Sequence, residues 1–270
     1  MTLLEPRMTD RAGGETLRRA VQRLEIALPP IDSEQDEEWV IAKTEDGWKK
    51  IRLHDYDEVY EVPGLYEKWV YETLKCQSPT KVADLMARAL LREGGLAEEC
   101  VTLDLGAGNG CVAEELEGIG LKRFVGVDLI PEAKEGAERD RPGLYMDYVV
   151  CDLTDLSPKQ EARLKAHAFN TLTCVAALGF GDIPPLAFAT AFNLICDGGW
   201  IAFNIKCNFL EENDGSPFAR LIRRMLDEGV LEAMLEESYT HRLNPLGEQL
   251  EYVAIIGRKL RAIPEAWVGE

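Results

Sequence analysis

Val101-Thr-Leu-Asp-Leu-Gly-Ala-Gly-Asn-Gly110 joins an apolar run carrying Asp104 to three glycines at alternate positions, Gly106, Gly108 and Gly110. Such a run, broken at once by glycines, predicts a buried parallel strand that turns sharply into a helix, with bare backbone where a Cβ would block close approach. A ligand there meets main-chain groups. The dinucleotide-binding fingerprint is the nearest confusable pattern, but its third glycine comes three residues after the second. Cys111 stands at that position.

Working outward from this turn, apolar strand-like runs alternate with helical patterns from about residue 99 to residue 206, the sign of a parallel sheet with helices on both faces. Strands are expected near 101–105, 123–127, 145–151, 169–176 and 199–205, and helices near 110–118, 131–139, 158–167 and 184–196. The last helix opens on Pro184 and Pro185 and stops at Asp197-Gly198-Gly199, proline being tolerated in a first turn and glycine favoured just past a helix end. The order then changes. A helix near 216–229 precedes two strand patterns, 235–243 and 249–258, separated by Asn244-Pro-Leu-Gly247, a turn that joins antiparallel strands.

The first hundred residues read as an α+β cap. Residues 16–28 have the pattern of an amphipathic helix and residues 29–38 that of a proline-plus-acid linker. Trp39-Val-Ile-Ala-Lys43 and Trp48-Lys-Lys-Ile-Arg-Leu53 flank Thr44-Glu-Asp-Gly47, a hairpin signal because Asp-Gly accepts the dihedral angles the turn demands. Helices near 65–76 and 79–93 lead into the sheet. The expected division is a cap or lid over 1–64, a main domain over 65–260 and a tail over 261–270.

Bulk properties narrow the partners. The 270 residues are 46% hydrophobic, enough for a substantial core, and carry a formal net charge of -18. That charge argues against nucleic acid, whose binding rests on clustered Lys and Arg; Arg220, Arg223 and Arg224 read as the solvated face of a helix. The seven cysteines, at 76, 100, 111, 151, 174, 196 and 207, form no C-x-x-C pair, so neither a structural metal nor a disulfide framework is expected. No leading apolar segment and no apolar run of spanning length is present, and the expectation is a cytoplasmic protein without membrane contact.

Alternating glycines after an acidic strand end resemble the first motif of class I S-adenosylmethionine (SAM) methyltransferases, and the likeness of motif order and strand pattern runs over roughly residues 65–260. It implies a Rossmann-like seven-stranded sheet, parallel strands finished by an antiparallel pair, that uses SAM and releases S-adenosyl-L-homocysteine (SAH). On this resemblance Asp104, Gly106, Ala107, Gly108, Asn109 and Gly110 form the donor turn. Asp128, closing Gly126-Val-Asp128, accepts both ribose hydroxyls, with Leu129 beside it; a carboxylate offers a vicinal diol two acceptor oxygens. Asp152, in Cys151-Asp-Leu153, accepts from the adenine amino group while the Leu153 N–H bonds a ring nitrogen, Asp155 competing for the same role. Cys174 and Val175 supply backbone near the methionine amino end.

The pattern departs from the family at Phe169-Asn-Thr171, where an aromatic followed by Asp is more usual, which removes a charge from position 170. Gly179-Phe-Gly-Asp-Ile-Pro-Pro185 resembles the Asn/Asp-Pro-Pro-aromatic motif of base-methylating enzymes but is displaced and interrupted by Ile183, so base chemistry is not expected. Tyr56, Tyr60 and Tyr66 resemble the tyrosine-bearing segment that folds over SAM in small-molecule methyltransferases, and aromatic faces suit a sulfonium. His54 and His241 are the two candidate bases. The expected acceptor is a small molecule; a protein side chain, or SAM binding without catalysis, are the alternatives.

Overall fold

The run around Asp104 is the central strand of a seven-stranded sheet in the computed structural model, which describes residues 12–30, 35–178, 182–207 and 216–268. In chain order the cap comprises α1 (Ala12–Arg23), β1 (Ile26–Ala27), β2 (Trp39–Thr44), β3 (Gly47–Arg52), α2 (Tyr56–Glu61) and a π-helical turn, Glu67–Thr73. The main domain follows with α3 (Ser78–Glu93), β4 (Val101–Leu105), α4 (Cys111–Gly118), β5 (Arg123–Asp128), α5 (Pro131–Asp140), β6 (Asp147–Val150), α6 (Pro158–Lys165) and β7 (Thr171–Cys174). It ends with α7 (Pro185–Leu194), β8 (Trp200–Lys206), α8 (Pro217–Asp227), β9 (Leu231–Leu243) and β10 (Gln249–Lys259).

The strand order is β6-β5-β4-β7-β8-β10-β9, with β4 to β8 parallel and β10 antiparallel to both neighbours. Chain progression reverses between β4 and β7. In an open parallel sheet that reversal leaves a crevice beyond the carboxyl ends of the strands, where ligands bind. Both faces of the sheet are covered: Leu103, Val125, Phe188, Phe203, Ile222 and Ile255 pack on one side, and Leu85, Met86, Leu116, Phe124 and Ala254 on the other.

Three elements differ from the sequence reading. The helix expected over 16–28 ends at Arg23, because Ile26 and Ala27 pair with Ala42 and Ile41 and make the hairpin a three-stranded sheet. Leu24, Ile26 and Leu28 all pack on the cap's apolar cluster, a spacing of two that suits a strand as well as a helix suits the residues before it. The helix expected over 65–76 is the wide π turn, with Glu67 and Trp69 buried. Third, β9 starts at Leu231, four residues before the expected 235, and runs 13 residues beside β10 with two register shifts. The apolar cluster of the cap includes Leu65, Trp69, Leu74 and Cys76 together with Val40 and Ile51, so the packing unit crosses the expected boundary at residue 64. Of the expected linker, residues 31–34 lie outside the described residues, as do 269 and 270 of the tail.

A buried ion cluster lies under the glycine turn. Arg141, 3% exposed, donates from Nη1 to Glu67 Oε1 (2.9 Å) and to the Asn109 carbonyl (3.1 Å), and from Nε to Glu114 Oε2 (2.7 Å). Asn109 Nδ2 in turn donates to Glu67 Oε1 (2.7 Å) and Asp140 Oδ2 (3.1 Å). Removing one member of a buried ion cluster leaves the others uncompensated, at a cost of about 3–5 kcal/mol. Arg141→Met is therefore expected to lower unfolding stability by about that amount in denaturant titration, and adding Glu67→Gln and Glu114→Gln to recover part of it. An unchanged midpoint would show that the cluster contributes nothing.

Candidate functional site

At the carboxyl ends of β4, β5, β6 and β7 lies a cavity of about 430 Å³, a size that encloses a nucleoside-sized ligand. The core presents Gly106, Asp128, Asp152, Leu153 and Val175 to it, and the cap closes it with His54, Tyr56, Tyr60 and Tyr66. Gly106 has φ +67°, and a Cβ there would sit 3.1 Å from both Ala177 Cβ and Ile183 Cδ1. Gly108 has φ +53°, and its Cβ would collide with the Tyr60 hydroxyl. Both positions therefore need glycine twice over, for backbone conformation and for space.

Asp128 ends β5 and is fixed by the turn it faces. Its Oδ2 accepts from the Gly108 N–H (2.9 Å) and its Oδ1 from the Ile130 N–H (3.3 Å), while burial raises its pKa above the usual carboxylate value. The Leu129 N–H bonds it as well, which still leaves part of the acceptor capacity of a carboxylate for a ligand. Asp152 lies just past β6, with Oδ1 taking hydrogen bonds from the Thr154 N–H (2.8 Å) and hydroxyl (2.7 Å), which hold its pKa low. Asp155 does not line the cavity. Nor does it cap α6, since Ser157 and Gln160 form the capping box there.

Several expected donor residues support the cavity without lining it. Asp104 accepts from the hydroxyls of Tyr145 (2.7 Å) and Thr173 (2.6 Å). Asn109 is engaged in the ion cluster, Gly110 precedes α4 with φ +93°, and Ala107 packs among Tyr60 and Tyr148. The Gly108 carbonyl accepts from the Tyr148 hydroxyl (2.8 Å), and Tyr60 lies over its α-carbon. Cys174 is wholly buried, with its thiol pKa pushed well up by burial, whereas Leu129 does line the cavity, exposed at its rim. Asn170 sits before β7, at the amino-terminal ends of the strands, where it accepts from the Val101 N–H (2.7 Å) and donates to the Glu99 carbonyl (2.9 Å). Its side chain ties two strand starts together and takes no part in the cavity.

The candidate bases separate. His54 lines the cavity and pairs through Nδ1 with Asp182 (3.0 Å to Oδ2). His241 does not line it; it is buried beside a smaller adjoining cavity, 2.5 Å from the Ser78 hydroxyl and stacked on Tyr252 at 4.1 Å between centroids. Burial and the neighbouring Arg242 push its pKa well below the usual histidine value. The expectation of His241 as a base on the donor cavity is corrected accordingly: a β-strand pattern does not reveal that this side chain is walled in by Ser78, Cys76 and Tyr252. Asp182 was missed, since nothing in a loop acid 128 residues from His54 marks their pairing. It lies in the 179–185 stretch, of which 179–181 fall outside the described residues. Among the described residues no group of His, Cys, Asp and Glu can hold a metal ion, and no helix is long and apolar enough to cross a membrane.

Residues 103–203, from β4 into β8, match the family described as methyltransferase domain. The sheet's parallel half is thus similar to a methyltransferase domain. It is 28% identical over 162 residues, 57% of its length, to methyltransferase-like protein 27 of Homo sapiens, and the match spans 62% of that relative. Among solved structures, the chain is similar to the N-methyltransferase NodS from Bradyrhizobium japonicum WM9 in complex with SAH (TM-score 0.49, 15% identity, 77% of this chain and 98% of that one). It is also similar to a SAM-dependent methyltransferase from Anabaena variabilis ATCC 29413 (TM-score 0.49, 15% identity, 77% and 96%). SAM is the cofactor of such a domain, and the features of this cavity fit it: bare backbone at Gly106, a carboxylate with open acceptor positions at Asp128, and aromatic rings above.

Asp104 supplies a pH signature. Burial raises its pKa from 3.8 to about 6. Between these values the folded protein holds a proton that the unfolded chain has released, so stability is highest below about pH 4 and falls as pH rises to about 6, by about 2–3 kcal/mol for this group. Denaturant titrations of the parent and Asp104→Asn across that range are expected to differ by a margin that shrinks for the parent as pH rises. Parallel curves would rule out a buried proton at Asp104.

Proposed function

We propose that the protein transfers the methyl group of SAM to a hydroxyl or amine of a small molecule held in the crevice under the cap. One observation carries this reading: Asp128 and Gly106 on the sheet side face His54 and three tyrosines on the cap side across a single cavity. Asp128 would hold the ribose, Asp152 and the Leu153 N–H the adenine, and Gly106 with the Val175 backbone the methionine portion. SAM supplies a methyl group already activated on a sulfonium, so the protein's work is alignment, exclusion of water and removal of an acceptor proton. Tyr56, Tyr60 and Tyr66 offer ring faces to a cation. His54 accepts the proton, and Asp182, accepting from Nδ1–H, holds the tautomer in which Nε2 is the basic nitrogen.

The carboxylates Asp57, Asp128, Asp152 and Asp182 line the cavity, and among the described residues no Lys or Arg does. Together with the net charge of -18 this supports a small acceptor over a nucleic acid, whose phosphates require cations.

Two measurements test the reading. Asp128→Ala is expected to weaken SAH binding about 10- to 100-fold in calorimetry, the range for hydrogen bonds to a charged group, with the fold intact; equal affinity would remove the ribose assignment. With tritiated-methyl SAM, label is expected to enter the small-molecule fraction of a cell extract and not its protein bands. His54→Gln and Asp182→Asn should each lower that rate about 10²–10⁴-fold while SAH affinity stays within about twofold. Label retained on protein would replace the acceptor class, and tight SAH binding with no transfer to either fraction would make the chain a SAM-binding protein.

A further inference from the structure

Beside the donor crevice lies a second, smaller cavity of about 30 Å³, and the two have His54, Tyr56, Tyr66, Ala176 and Asp182 in common as walls. Its far side is built from Gln35 at the entry to the hairpin, His241 and Arg242 on β9, and Tyr252 on β10. We propose that this cavity anchors the methyl acceptor, and that it does so by binding a carboxylate on the acceptor through the Arg242 guanidinium. The inference rests on the donor-site reading above and adds to it the acceptor's chemical class.

Unfinished hydrogen bonding inside the cavity wall is the first support. Arg242 is 2% exposed. Its Nη1 donates to the Leu243 carbonyl (2.9 Å) and lies 2.8 Å from Glu38 Oε2, yet its Nη2 has no partner. Gln35 donates from Nε2 to the Tyr252 hydroxyl (3.0 Å), and its Oε1 has no partner either. Buried polar atoms of this kind are costly unless something completes them. Here two occur on side chains that line one cavity.

Charge and size decide what completes them. Arg242 is the one Lys or Arg among the described residues that lines either cavity, and a planar guanidinium with an open edge matches a carboxylate. Of the two nearby anions, Asp182 is engaged with His54, and Glu38 lies in ion-pair contact with Arg242 Nη1 while its Oε2 makes no aligned hydrogen bond. Burial raises the Glu38 pKa, with the neighbouring Arg242 opposing the shift. Turning the Gln35 amide end for end, with the Tyr252 hydroxyl becoming donor, presents Nε2 as a second donor without moving a heavy atom. A space of this volume takes a carboxyl group or one to two waters and nothing larger. An acceptor held there by its acid end extends past Tyr56 and His54 into the donor crevice, which brings its nucleophile to the base.

The chain contains three histidines, so carbon-13-labelled rings give three signals. His54 and His241 line the small cavity, while His167 is bonded to Asp147 (3.0 Å) elsewhere and serves as an internal control. SAH-saturated protein is titrated at fixed pH and ionic strength with acetate and, separately, with its neutral counterpart acetamide. Expected is a saturable movement of the His241 and His54 signals by acetate, at concentrations at least tenfold below those acetamide needs, with His167 still. The paired change Glu38→Gln with Arg242→Met removes both charges together and should abolish the acetate response while SAH affinity stays within about twofold. Gln35→Met, which leaves the ion pair in place, should weaken it severalfold. Equal responses to acetate and acetamide would overturn recognition by charge, an unmoved His241 would mean the cavity holds water only, and an acetate response surviving the paired change would overturn the role of Arg242. Failure of SAH to bind the parent protein, read before any acid is added, would overturn the donor site instead.

Discussion

One buried guanidinium ties the cap to the glycine turn and the helices beside it. Arg141, at the end of α5, reaches Glu67 on the cap, Glu114 on α4 and the carbonyl of Asn109 within the glycine turn. The cap, the end of α5 and the stretch from the glycine turn into α4 thus meet on one cation, in surroundings where water does not screen the attraction. The adjacent Arg139 extends the same arrangement by donating to the Tyr60 carbonyl (2.9 Å) and to Asp140. Tyr60 in turn lies over Gly108, whose N–H fixes Asp128. The position of the proposed ribose-binding carboxylate therefore depends, through contacts of 2.7–3.1 Å, on a cluster the ligand never touches.

What the sequence could say follows from how local each constraint is. The central strand, its glycine turn and Asp128 are legible because the backbone alone imposes them: alternating glycines have few other uses after a buried strand, and the residue ending the next parallel strand must face the same crevice. The antiparallel finish is legible for a similar reason, through the Asn-Pro-Leu-Gly turn. Ile26 and Ala27 are not, because a two-residue strand exists only by pairing with β2. The π turn at Glu67–Thr73 is equally hidden, since its extra width serves to bury Glu67 toward Arg141, a partner 74 residues away.

The polar residues were harder to read than the apolar ones for the same reason. His54 and His241 look alike in sequence, each a lone histidine near aromatic neighbours. Packing separates them: one meets Asp182 at the cavity wall and the other is enclosed against Ser78 and Tyr252. Asn170, where the family pattern loses a charge, stands at the amino-terminal start of β7, away from the cavity, where an amide that both accepts and donates joins Val101 and Glu99.

The roof of the crevice explains why a histidine, and not a tyrosine, is the proposed proton acceptor. Burial raises the pKa of Tyr56, Tyr60 and Tyr66 above the usual phenol value, with the nearby carboxylates Asp182 and Asp128 adding to the effect at Tyr56. These rings stay uncharged and keep their faces available to a cation. A phenol so placed is a poor base at neutral pH, whereas the His54 imidazole is oriented toward the crevice by the Asp182 carboxylate. The acidic lining has the matching consequence that a positively charged donor is favoured in the crevice, and the charge lost on methyl transfer lowers the attraction for the spent product. Cation-binding faces, an orienting acid and a neutral roof thus come from one arrangement of cap against sheet.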